Sequence, residues 1–423
     1  MMMTMKHNVT CDRSKWRWSR WIVAVAGCIG ALLPQAVAAQ VSDSIVVSLV
    51  TFYPGDQLHS LYGHTELRVR NAAPHGMDAY FNYGVFDFRA PNFVGRFVLG
   101  ETDYLCVGIP AQYATQGMEG RKMIEQDLNL TQEQARGVAA YMLENIRPEN
   151  ATYRYRYLSD NCATRPRDII ERALGDSLLY HTPAAQQPPA TFRSMARYYN
   201  RNYAWYRLGI DFLLGAPADT ALDWRAQMFV PMVLMDALDS ASVLTASGRA
   251  PLVTRRTVMV PGSDDGLAGP PTPWYLHPVT AALLLLALVI AIDVRDWRRH
   301  RMTRWLDCAL YGVLGLIGCL LTFMVTCSTH ESLSPNYVLL WAHPLCLVPA
   351  VAVWCRRNHG WLKRYHWLNL VELIVVGLLW AWIPQCGNAT FALLAAASAV
   401  RSLGWIVTKI DNPSSQRPAV RKK

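Results

Sequence analysis

The sequence predicts an α+β domain fused to an α-helical membrane bundle of about five helices. Three observations carry this. The 423-residue chain is 52% hydrophobic but only 17% charged, too apolar for a wholly soluble protein and too charged for a bare bundle. Residues 40–260 mix strand-like alternation with helix-like spacing. From residue 277 to 408, apolar segments of near-spanning length follow one another, with short loops between them.

The first 39 residues have the pattern of a signal peptide. Lys6 to Arg20 is basic, Trp21 to Leu33 is apolar, and Ala36-Val37-Ala38-Ala39 offers small residues for cleavage after Ala38 or Ala39. Two alternatives stay open. One is a lipoprotein box at Val25-Ala26-Gly27-Cys28, which leaves a very short apolar core before the cysteine. The other is an uncleaved anchor. All three export the domain that follows.

Within that domain, Ser44 to Phe52 and His64 to Arg70 alternate as strands. Asn71 to Met77 is a turn or loop, and the aromatic-rich run Ala79 to Phe88 is the partner strand of a hairpin. Tyr104 to Ile109 and Ala151 to Leu158 are further strands. Thr131 caps a helix to Ile146, with Glu133 in its first turn. Ser159-Asp160-Asn161 stops the preceding strand, and Ala163 to Leu174 has helical spacing. Residues from Thr191 to Leu244 are expected to be mostly helical. A linker over 261–276 contains Pro270, Pro271 and Pro273.

The expected spans are Pro278 to Val294, Leu306 to Thr326, Tyr337 to Cys355, Leu368 to Pro384 and Phe391 to Thr408. Arg295, Arg298, Arg299, Arg301 and Arg304 separate the first two, and Arg356, Arg357, Lys363 and Arg364 separate the third and fourth. The tail, 409–423, ends in Arg421-Lys422-Lys423, whereas the loops after the second and fourth spans carry no Lys or Arg. The positive-inside rule therefore places the tail in the cytoplasm and the N-terminal domain outside. The net charge of +10 is a topology signal of this kind, so no nucleic-acid partner is expected.

Cys106 and Cys162 are the cysteines left to the exported domain once the targeting segment and the membrane half are set aside. In an oxidising compartment two such cysteines form a bridge, or one is kept as a reactive thiol. Cys106, on a predicted strand, is expected to be a buried free thiol. No CxxC pair or His-rich cluster calls for zinc, and no metal or cofactor is expected.

Gly63-His64 opens a strand and Asn161-Cys162 opens a helix. A helix N-terminus favours a thiolate, and an imidazole can take and return its proton. Spacing alone leaves a second reading open, in which His64 is a hydrogen-bonded strand residue and Cys162 a buried structural one.

Three stretches sharpen the choice. They are Ser60-Leu61-Tyr62-Gly63-His64, Asn82-Tyr83-Gly84-Val85-Phe86-Asp87-Phe88, and Asn161-Cys162-Ala163-Thr164-Arg165-Pro166-Arg167-Asp168. Over roughly residues 44 to 260 the chain resembles the Lnb N-terminal periplasmic domain. That family is similar to circularly permuted NlpC/P60 (papain-like) thiol enzymes, as is lecithin:retinol acyltransferase, and in the permuted order the His strand precedes the Cys helix. The membrane half, with His330, Asn336 and His343-Pro344, resembles the C-terminal part of the same family.

The resemblance implies a lipoprotein N-acyltransferase of the bacterial inner membrane. Cys162 would be the nucleophile and His64 the base. An acyl chain would pass from a membrane phospholipid to Cys162 as a thioester, then to the α-amine of the diacylglyceryl-cysteine that begins a lipoprotein. Asn82 is the first choice to orient His64, with Asp87 the runner-up. Tyr62 and the backbone N–H of Cys162 are candidates for an oxyanion, although Tyr62 reads equally as packing at a strand start. Arg165 and Arg167 could meet a phosphate or be structural charges, and Asp160 is expected to cap the helix. His330 and Glu331 form either a substrate entrance or a solvated loop. Arg401, inside the fifth span, is a costly charge that pairs with another span, snorkels or serves function. A membrane-tethered cysteine hydrolase (peptidoglycan amidase or peptidase, or phospholipase) and a non-catalytic scaffold are the competing readings.

Overall fold

The computed structural model describes residues 44–409 except 72, 74–75, 88, 117–119, 184–188, 263–268 and 356–358. The expected signal peptide with its Cys28 alternative, the tail beyond Lys409, and Arg356 and Arg357 lie outside the described residues.

The N-terminal half is built on one antiparallel seven-stranded sheet. Its strands are β1 (Ile45–Phe52), β2 (His64–Asn71), β3 (Asp78–Val85), β4 (Asp103–Pro110), β5 (Met123–Leu128), β6 (Thr152–Arg154) and β10 (Val253–Val260). They are ordered β10-β5-β1-β2-β3-β4-β6. Two-residue alternation decides the faces. Val47, Leu49, Leu67, Val69, Phe81 and Tyr83 form the core under helices α2 (Gln132–Asn145), α3 (Thr164–Leu174) and α7 (Pro231–Ser240). On the other face Arg68 pairs with Asp78 and Glu125, and Arg70 with Glu125 and Asp127, which ties β2 to β3 and, across β1, to β5.

β5 and β10 were not among the expected strands. In β5 the polar Glu125, Gln126 and Asp127 hide the pattern, because each is buried against a partner. β3 ends at Val85, short of Phe88, because Gly84 takes a positive φ of 101° and the register with β4 shifts there. The expected strand to Leu158 shrinks to β6, followed by a tight turn closed by the Arg156–Asp160 bridge. The region expected to be helical holds α4 (Phe192–Tyr199), α5 (Ala204–Leu213), α6 (Trp224–Gln227) and α7, and β7 (Leu178–Leu179), β8 (Ser242–Thr245) and β9 (Gly248–Pro251) make a small second sheet. α1 (Phe93–Leu99) lies between β3 and β4.

Among the described residues, four helices are long and apolar enough to cross a membrane: α8 (Pro278–Arg299), α9 (Arg304–Cys327), α11 (His359–Leu379, with a further turn to Trp382) and α12 (Ala389–Val407). The expected third span is broken into 3-10 turns at Tyr337–Leu340 and Pro344–Cys346 and a short helix α10 (Leu347–Ala352). Pro344 lacks an N–H and forces His343 into an extended conformation. The segment still runs from one end of the bundle to the other. Asn336 donates to the Phe212 carbonyl of the N-terminal half, whereas Val353 packs with Met302, Leu362 and Trp405 at the far end. It lies against α9 at two glycines. A Cβ on Gly318 would sit 2.4 Å from the His343 carbonyl carbon, and one on Gly315 2.6 Å from Leu347.

Arg401 is fully buried and pairs with Asp293, Asp296 and Asp307, joining α12 to α8 and α9. It therefore pairs rather than snorkels, as its burial among low-dielectric helices requires. The opposite end of the bundle meets the N-terminal half. Asn388 donates to Asp211, Gln385 to the Leu214 carbonyl and Ser328 to the Val98 carbonyl.

Candidate active site

His64 is placed by the turn before it. Gly63 has φ 84°, and a Cβ there would lie 2.7 Å from the Phe52 carbonyl oxygen, so the chain can enter β2 only through glycine. Cys162 is placed by its neighbour. Asn161 is buried, and its Oδ1 accepts from the N–H groups of Ala163 and Thr164 at 2.8 and 2.9 Å. Thr164 Oγ1 in return accepts the Asn161 N–H. The Asn161 amide donates to the carbonyls of Tyr157 and Phe229. Asn161, not Asp160, therefore caps the helix. Asp160 is held away by a two-pronged bond to Arg165 at 2.5 and 2.8 Å.

The structure brings Cys162 and His64 close enough for each charge to act on the other, although 97 residues separate the two positions in the chain. Burial pushes the thiol up, but the His64 charge, the Thr65 N–H and the Tyr155 hydroxyl outweigh it and hold the thiol below its usual range. Burial alone would depress His64, but the facing thiolate and Glu66 raise it to about 10. Each group's charge favours the charged form of the other, so the arrangement favours a thiolate facing an imidazolium. Tyr155 donates to the sulfur at 4.0 Å. Cys106 and Cys162 are both free thiols, and burial pushes Cys106 up to about 12.

Asn82 faces the other imidazole nitrogen. Its Oδ1 lies 2.9 Å from His64 Nε2, which leaves Nδ1 for the sulfur. Glu66 Oε1 lies 3.6 Å from the same Nε2, on a carboxylate that is 1% exposed. Sequence reasoning missed Glu66, although a signal was available: it is two positions after His64 on one strand face and directly opposite Asn82. Arg121 was also missed. It lies within electrostatic reach of Cys162 and Glu66 and donates to the Tyr53 carbonyl at 2.7 Å.

The other candidates are committed elsewhere. Tyr62 accepts from Asn200 at 2.9 Å and stacks on Tyr199, which makes it a packing residue of that cluster. Asp87 is exposed and folds back onto Arg89, so it does not reach the imidazole. Arg165, paired with Asp160, lies 3.7 Å over the Tyr153 ring, and Arg167 is buried against the Arg225 carbonyl. His330 donates to the Phe97 carbonyl at 2.7 Å and packs on Phe97 and Tyr157. Glu331 accepts from the Leu158 N–H at 3.0 Å and from the Ser159 hydroxyl. These two residues follow α9, so the loop leaving the bundle grips the turn that leads into Cys162. Among the described residues, no group of three His, Cys, Asp or Glu side chains is arranged to hold a metal ion.

A sheet-rich domain with a thiol–imidazole pair, fused to a bundle that braces it, defines a membrane-anchored periplasmic enzyme. Its model matches place it more narrowly. The Lnb N-terminal periplasmic domain matches residues 34–209, and the Lnb transmembrane domain matches residues 271–412. The chain belongs to the Lnb family. No curated protein and no solved structure matches it. The periplasmic match ends at 209, yet α7 completes the core and β10 edges the same sheet, so residues up to Val260 are structurally part of that domain.

Proposed function

We propose that the protein is a lipoprotein N-acyltransferase of the bacterial inner membrane, with Cys162 as nucleophile, His64 as acid and base, and Asn82 and Glu66 orienting the imidazole. One observation carries this reading: His64 sits between the Cys162 sulfur and Asn82, and the turn that leads into Cys162 is braced by a loop of the membrane bundle. The His-strand-before-Cys-helix order is that of the permuted papain-like arrangement.

The resting thiolate attacks the ester carbonyl of a phospholipid. The carbon–oxygen bond breaks, His64 gives its proton to the departing lysophospholipid alkoxide, and a thioester remains on Cys162. The neutral imidazole then takes a proton from the α-amine of a diacylglyceryl-cysteine as that amine attacks the thioester. The carbon–sulfur bond breaks, an amide forms, and the thiolate–imidazolium pair returns. The Cys162 N–H, just before α3, is the natural donor to the oxyanion in both halves, since Asn161 holds those of Ala163 and Thr164. With the domain outside, an odd number of crossings leaves the C-terminus in the cytoplasm, as the basic loops require.

The test is to incubate the full-length protein in phospholipid vesicles and search Cys162 by mass spectrometry for an acyl adduct that hydroxylamine releases. A diacylglyceryl-cysteine peptide should then discharge it and gain the chain on its amine. A thioester that only water discharges would make the protein a phospholipase. No adduct, and no phenotype in cells that carry only Cys162→Ala, would leave a scaffold.

A further inference from the structure

The chemistry above makes no use of α1, and α1 is an unusual surface element. It reads Phe93-Val94-Gly95-Arg96-Phe97-Val98-Leu99, and none of its residues is buried. Val94 is 73% exposed and Phe97 36% exposed. An apolar face of this kind has a reason to face away from water.

The level of α1 relative to the bilayer is set by hydrogen bonds. The residues that leave α9 cap its C-terminal end. Ser328 Oγ donates to the Val98 carbonyl at 2.8 Å, Thr329 N–H to that of Leu99 at 2.8 Å, and His330 to that of Phe97 at 2.7 Å. α1 is thus fixed where the second span ends, beside α9, whose Leu316, Leu320 and Phe323 are exposed. Short apolar helices at that depth lie in the headgroup–acyl boundary.

An aromatic strip joins α1 to the sulfur. Phe97 meets the edge of Tyr157 at 6.3 Å between ring centres, and Tyr157 meets the edge of Tyr155 at 5.3 Å. The Tyr155 hydroxyl rests on the Cys162 sulfur. Tyr157 is itself 47% exposed. Aromatic side chains therefore run in contact from α1 to the nucleophile.

We propose that α1 dips into the outer leaflet and is the entrance by which a glycerolipid acyl chain leaves the bilayer, sliding along Phe97, Tyr157 and Tyr155 to bring its ester to Cys162. The last clause rests on the acyl-transfer reading; the immersion of α1 does not. The occupant is lipid rather than a protein partner because the strip begins where a membrane-spanning helix ends.

The test uses the full chain in vesicles of phosphatidylethanolamine and phosphatidylglycerol, with a photo-crosslinking residue in place of Val94 or, as control, of exposed Arg136 on α2. A lipid adduct is expected at 94 and not at 136. Equal labelling at both, or a protein adduct at 94, overturns the proposal. In a second arm, Val94→Glu should slow thioester formation from bilayer phospholipid at least about tenfold more than from a water-soluble short-chain acyl ester. Equal slowing overturns the entrance. If wild type forms no thioester from either donor, the acyltransferase reading fails, while the adduct at 94 still decides the immersion.

Discussion

Asn82 Oδ1 and His64 Nε2 stand 2.9 Å apart across neighbouring strands, and this contact fixes which nitrogen of the imidazole faces the thiol. Glu66 approaches the same nitrogen at 3.6 Å, so the ring is held by an amide and by a buried carboxylate behind it.

Removing that hold should slow chemistry more than binding. Asn82→Ala is expected to lower single-turnover thioester formation about ten- to a hundredfold, with the donor KM little changed. Glu66 then becomes the remaining partner of Nε2, so Asn82→Ala with Glu66→Gln should lose more than either change alone. An unchanged rate in the double variant would remove both residues from the site.

The ion pair has a pH signature. Cys162 is held below the usual thiol range and His64 is raised to about 10, each favoured by the charge of the other. Alkylation of Cys162 by iodoacetamide, read by peptide mass spectrometry, should be fast and flat around neutrality. It should fall on the acid side, where the thiolate takes a proton. His64→Ala removes the charge that lowers the thiol, so reactivity should move to higher pH. Cys106, pushed up to about 12, should stay inert over the same range.

Glu331 links the bundle to the nucleophile's turn. Its carboxylate accepts from Leu158 and Ser159, and hydrogen bonds to a charged group are worth about 1.5–3 kcal/mol. Glu331→Ala should lower kcat about tenfold or more. It should also shift the pH profile of Cys162 alkylation upward, whereas Glu331→Asp should restore part of both. A loss of protein without any change in that profile would make the contact purely structural.

Arg401 answers three carboxylates, and removing it strands them. Arg401→Met should destabilise the bundle by roughly 3–5 kcal/mol, seen as loss of folded protein in detergent. Replacing Asp293, Asp296 and Asp307 by Asn in the same chain should recover much of it.

Local signals made much of the site legible in the sequence. His64 at a strand start, Cys162 at a helix start and Asn82 on the paired strand all follow from alternation and a stop signal within a few residues. The helix cap was misplaced by one residue, because Asp160 and Asn161 are both good caps and the choice between them falls to the Arg165 pairing and the distant Phe229 carbonyl. β5 was hidden because its buried charges are satisfied by residues of another strand. The Glu331 contact joins positions 173 apart in sequence, a relationship no local pattern encodes. The third span has the composition of a membrane helix, and its break follows from Pro344 and from the close approach to Gly318.

That break constrains how the chain is assembled. Hydrocarbon offers no partners to backbone amides that a helix leaves unpaired, so residues 337–352 are a poor membrane segment alone. Against the notch that Gly315 and Gly318 leave in α9, the backbone at the His343–Pro344 break is packed on protein, while Leu345 and Val351 stay exposed on the outer side. Biogenesis therefore has to deliver α9 and the broken segment to the bilayer as one hairpin, and a side chain that fills the notch should be felt first as failed insertion.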